Sequence, residues 1–76
     1  MKVIQGKDYI RVVASLSGDI QKEWTFRSVG EIGEKIAAYR KCAEDWEGYI
    51  EEKYFREEIA VLKEALRSEF GVNVII

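Results

Sequence analysis

Histidine is absent from this 76-residue chain, and so is proline. Without histidine the chain has neither the usual general base near neutral pH nor the commonest metal ligand. Without proline, every residue keeps a backbone N–H for regular structure. The one cysteine, Cys42, excludes an internal disulfide and cannot build a thiolate metal site. At the edge of a helical apolar stripe, it reads as a half-buried structural thiol. Small secreted domains usually rely on several bridges, so a reducing, cytoplasmic home is expected. No charged stretch followed by a long apolar run opens the chain, so no signal peptide is expected. The longest apolar run falls far short of the ~20 residues of a membrane helix, so no membrane partner is expected either. Gly30 and Gly33 stand near a helix start but lack the third glycine and the lysine of a phosphate loop. These absences exclude the common catalytic, metal and cofactor constellations, and the expectation is a protein that is not an enzyme.

What is present makes one globular domain over residues 1–76. Its 47% apolar content is ordinary for a folded chain. A chain this short buries only about 60–65% of the surface it exposes when unfolded, near the lower limit for folding alone. Tyr9 to Leu16 alternates, with Ile10, Val12, Ala14 and Leu16 on one side. Ser17-Gly18-Asp19 is a turn cluster. Ile20 to Arg27 alternates again, with Ile20, Trp24 and Phe26 on one face and Lys22 interrupting it. This is the pattern of a β-hairpin with one apolar face, and the lysine suits an edge strand. Met1–Gln5 has the composition of a further short strand, ended by Gly6.

Ser28 and Glu31 match the reciprocal capping pattern of a helix start. Val29, Ile32, Ile36, Tyr39, Ala43, Trp46 and Ile50 follow at alternating intervals of three and four, the spacing of one helix face. Gly30 and Gly33 each weaken this helix by ~1 kcal/mol relative to alanine, unless they serve a close approach to the sheet. A second stripe, Phe55, Ile59, Leu62, Leu66 and Phe70, is out of register with the first. One helix over 28–70 would be ~65 Å long, against a radius of gyration of ~11 Å for a compact chain of this size. A bend or loop within 46–53, beside Gly48, resolves both difficulties. A continuous helix would instead require a partner chain. Gly71 sits where a left-handed helix cap belongs, and the apolar tail Val72–Ile76 is expected to add a last strand. The fold class is therefore α+β: a small antiparallel sheet with two amphipathic helices packed on one face.

The net charge of −2 is unevenly spread. Residues 1–28 carry five Lys/Arg and three Asp/Glu; residues 29–76 carry seven and eleven. Residues 44–58 hold Glu44, Asp45, Glu47, Glu51, Glu52, Glu57 and Glu58 against only Lys53 and Arg56. A nucleic-acid binder normally shows the reverse balance. The acids fall on helix, Glu51/Glu52 and Glu57/Glu58 as adjacent outward pairs, without the alternate spacing of a calcium loop. Tyr49 and Tyr54 lie off both stripes among them, in the mixture of tyrosine and charge that interfaces favour. Trp24, Phe26, Trp46 and Phe70 read as core. The expectation is a protein-binding module whose acidic helical surface (Glu44, Asp45, Glu47, Tyr49, Glu51, Glu52, Tyr54, Glu57, Glu58) meets a basic protein. That partner would be one that itself handles nucleic acid, and the chain, a monomer or weak dimer, would be its stoichiometric inhibitor. The alternatives are a nucleic-acid-binding domain using the hairpin face with Tyr9, Arg11, Thr25 and Arg27, Lys22 nearby, and a structural homo-oligomer.

Overall fold

The computed structural model describes residues 1–74. Three strands, β1 (Lys2–Gln5), β2 (Ile10–Leu16) and β3 (Ile20–Phe26), precede two helices, α1 (Val29–Asp45) and α2 (Ile50–Phe70). The strands form an antiparallel sheet in the order β1-β2-β3. Val12 lies opposite Val3 on one side and Trp24 on the other, and Ile10 lies opposite Phe26. The alternation along β2 and β3 therefore delivers Ile10, Val12, Ala14, Trp24 and Phe26 to one face. There they pack with Ile32 and Ile36 of α1 and Ile59, Leu62, Ala65 and Leu66 of α2. Among the described residues no element packs on the other sheet face, which gives two layers.

The local signals act much as their chemistry dictates. Ser28 is extended and its Oγ accepts from the Glu31 N–H. The Glu31 carboxylate accepts from the Arg27 N–H, one residue earlier than a strict capping box would place it. The two helices are separate: the chain turns over residues 46–49, with Gly48 at φ +88°, a conformation costly for any side chain. Val29, Ile32, Ile36 and Tyr39 of the first stripe and Ile59, Leu62, Leu66 and Phe70 of the second pack at the core under the sheet. By contrast, a Cβ at Gly33 would meet nothing and one at Gly30 only the Ser28 Oγ, so neither glycine serves a close approach.

Two expectations are corrected here. Residues 72–74 form no strand, and Ile75 and Ile76 lie outside the described residues. The third strand of the sheet is β1 instead. Gly71, left-handed, caps α2, its N–H donating to the Arg67 carbonyl and that of Val72 to the Leu66 carbonyl. Residues 72–74 lie beside Ala60, Lys63 and Arg67, and Val74 packs on the core. Of the described tail residues, Val74 is thus partly covered while Val72 stays 39% exposed. Trp46, expected in the core, is 46% exposed at the end of α1. Ile50 is the first residue of α2 and 68% exposed. The helices outrun the sheet, which also explains extents of 39 × 27 × 18 Å and a radius of gyration of 12.3 Å.

Candidate interaction surface at the turn between the helices

The acidic stretch divides into two groups that do different things. Glu57 and Glu58, expected to point outward, turn toward the sheet. Glu57 accepts a close hydrogen bond from the Ser17 hydroxyl and another from the Ser17 N–H at 3.4 Å. The Ser17 hydroxyl holds the Glu57 carboxyl below its ordinary value. Glu58 is only 7% exposed, with Oε1 3.6 Å from the Lys22 Nζ. It adjoins Ile59 on the buried side of α2, and the inward lysine of the edge strand supplies the charge that lets it stay there. Beside this pair the Trp24 indole N–H donates to the Tyr39 hydroxyl at 2.9 Å. Burial raises the Tyr39 pKa; the Trp24 hydrogen bond opposes this, and the Glu58 charge adds to it. Both acids therefore fasten α2 to β3 and to its turn.

The second group surrounds the turn between the helices. Residues 44–52 include five acids and no base. Glu44, Asp45 and Glu47 are exposed, Glu51 and Glu52 half-buried in the first turn of α2, where the helix dipole favours negative charge. Glu44 pairs with Arg40 at 3.5 Å across exposed helix surface. Glu52 accepts from the Gly48 N–H at 3.1 Å and from Arg56 Nε at 2.8 Å. The Gly48 N–H, and after it Arg56, hold its carboxyl below the ordinary value. Glu52 thereby closes the turn that Tyr49, the N-cap residue, leaves without a side-chain cap. Asp45 and Glu47 are left exposed around the turn, with Glu51 half-buried beside them.

Among these acids stands an apolar group of which the sequence pointed only to Tyr49 and Tyr54. Tyr49 is 64% exposed, with its ring edge-on to Trp46 at 5.6 Å between centroids. Trp46 and Ile50 fit the first stripe, and so read as core. Periodicity says which side of a helix a residue occupies, not where the sheet beneath it ends. Asp45 and Glu47 flanking Trp46 were the one signal that could have placed it in water. Tyr54 is half-buried one turn into α2. Ile20, 47% exposed, adjoins the β2–β3 turn that Ser17 ties to Glu57. Ile20, Trp46, Tyr49 and Ile50 thus lie toward the same end of the molecule, framed by carboxylates.

The alternative surface is less basic than its composition implied. Lys22, opposite Ala14, belongs to the inner face and is engaged by Glu58. On the open face Arg11 pairs with Glu23 at 2.9 Å and lies 5.6 Å from the Tyr9 ring centre. Among the described residues no helix is long and apolar enough to cross a membrane. No protein-family model matches this chain, and a search of curated proteins and of solved structures found no match either.

Proposed function

We propose that this chain is a non-enzymatic protein-binding module of the cytoplasm that engages a basic protein surface with the turn between α1 and α2. The observation that carries the reading is the coincidence, at one end of the molecule, of five acids, only Glu44 and Glu52 of them paired with arginines, and an exposed Trp46–Tyr49 pair. Exposed apolar clusters rimmed by charge mark interaction sites, and aromatic anchors supply most of the energy of such contacts. Basic surfaces of this kind are characteristic of proteins that handle nucleic acid. A small acidic domain seated on one would exclude the phosphate backbone, making it a stoichiometric inhibitor.

The test starts by identifying the partner from a lysate by affinity capture and mass spectrometry, and continues with kinetics on the purified pair. Reversing Asp45, Glu47 and Glu51 to lysine should slow association about ten-fold or more and leave the fold intact. A matched reversal of Lys2, Lys7 and Arg27 to glutamate should change association far less. If the basic set abolishes binding and the acidic set leaves it unchanged, the surface lies on the sheet instead. Salt-sensitive binding of single-stranded RNA or DNA that Tyr9→Ala and Arg11→Ala remove would replace the reading with the nucleic-acid-binding one.

A further inference from the structure

The geometry points to a basic amphipathic helix of the partner protein as the occupant of a step between the overhanging helices and the β2–β3 turn. This rests on the proposed function and specifies what that surface receives. Glu57, tied to Ser17, fixes the level of the β2–β3 turn along α2. Ile50 lies seven residues upstream, so the helical pair projects about 10 Å beyond the turn. Seven residues are also two turns, which puts Ile50 on the same side of α2 as Glu57, facing the β2–β3 turn. Tyr54 falls on the same line. Trp46, the C-cap of α1, follows Tyr39 by seven residues, and Tyr39 is bonded to Trp24 of β3, so Trp46 continues the side that faces the sheet, beyond the point where the sheet ends. The underside of the overhang thus carries Trp46, Ile50 and Tyr54, and the adjoining wall carries Ile20.

The dimensions and chemistry select the occupant. The step is about as deep as an α-helix is wide, and two packed helices give it a breadth of roughly 20 Å. Apolar residues on two adjoining walls suit a helix with an apolar stripe about 100° wide. Around them stand Asp19, Asp45, Glu47 and Glu51. Residues 44–52 and 17–21 contain no lysine or arginine, Lys22 is taken by Glu58, and Lys53, beside Tyr54, acts on Glu57. The flanks of the incoming helix must therefore be basic.

Two synthetic peptides of lysine and leucine, each about 18 residues or ~27 Å of helix, test the inference on the isotope-labelled full chain by NMR titration. One places leucine at i, i+3, i+4 and i+7; the other has the same composition with the stripe broken. The striped peptide is expected to bind at least ten-fold more tightly, with the largest shifts at Ile20, the Trp46 indole and Ile50. Trp46→Ser with Ile50→Ser, both outside the core, should keep the thermal midpoint and remove that advantage. Glu47→Lys with Glu51→Lys should weaken both peptides alike. Equal affinity for the two peptides, no binding of either, or shifts centred on Tyr9 and Arg11 overturns the inference. If the peptides bind equally but charge reversal still weakens both, the step is wrong and the acidic surface stands. If they bind and charge reversal changes neither, the acidic surface falls as well.

Discussion

Lys22 occupies the inner side of an edge strand, where a charge is tolerated because Glu58 meets it at the margin of the core. The lysine remains partly exposed while the carboxylate does not, and Glu58 Oε2 has no hydrogen-bond partner among the described residues. Removing the lysine alone strands a buried charge, whereas removing both groups removes the difficulty. Lys22→Met should therefore cost about 1–3 kcal/mol, and Lys22→Met with Glu58→Leu should restore most of that stability; denaturant unfolding of the two variants measures the difference. Trp24 contributes both bulk and a hydrogen bond to Tyr39. Trp24→Ala should cost about 3–5 kcal/mol, enough to unfold much of so small a domain. A thermal midpoint lowered by only a degree or two would mean that the inner face has been misassigned. Gly33 points the other way: nothing crowds its missing Cβ. Gly33→Ala should add about 0.5–1 kcal/mol and raise the thermal midpoint by a few degrees.

At the scale of elements, the link between α2 and the β2–β3 turn depends on a carboxylate. Ser17 hydrogen bonds stabilise the charged form of Glu57 and lower its pKa in the folded state from an unperturbed 4.5. A lowered pKa contributes stability that is complete above the unfolded value and is lost as pH falls through the folded value. Glu52 follows the same rule through Gly48 and Arg56, as does Glu64 through Arg67. Acid should therefore loosen the link below about pH 4.5, and Ser17→Ala should return the Glu57 carboxyl toward its ordinary titration, as a side-chain NMR titration would show. The elements themselves were largely legible in the sequence. Alternation marked β2 and β3, Ser28 marked the start of α1, and the broken register beside Gly48 marked the turn. Glu58 was not, because one acid beside an apolar residue looks alike whether it faces water or a lysine from a strand over thirty residues away. The tail was not, because an apolar segment is satisfied equally by a sheet edge or by the flank of a helix.

At the scale of the whole molecule, the placement of Trp46 and Ile50 depended on the length of the sheet relative to the helices, which no local pattern encodes. Their exposure creates a conflict that salt can resolve experimentally. Two copies meeting end to end would bury Trp46, Tyr49 and Ile50 against one another, but would also oppose two sets of five acids. Like charges repel the copies, while the same charges attract a basic partner. Val29, Ile32, Ile36 and Tyr39 of α1 and Ile59, Leu62 and Leu66 of α2 already pack at the core, so the part of the stripes that a second copy would bury is this exposed end. Light scattering at micromolar concentration should therefore report a monomer at low ionic strength. Raising the ionic strength from about 0.01 M to about 1 M shortens the Debye length from about 30 Å to about 3 Å. Screening should then act with opposite sign on the two associations. Binding to the basic partner should weaken, chiefly through a slower on-rate, while self-association through the apolar end should strengthen. Trp46→Ser with Ile50→Ser should suppress the salt-induced self-association. A tight dimer at low salt that survives this double substitution would instead place the contact between copies elsewhere, on the open face of the sheet, and would leave the turn between the helices free for the partner.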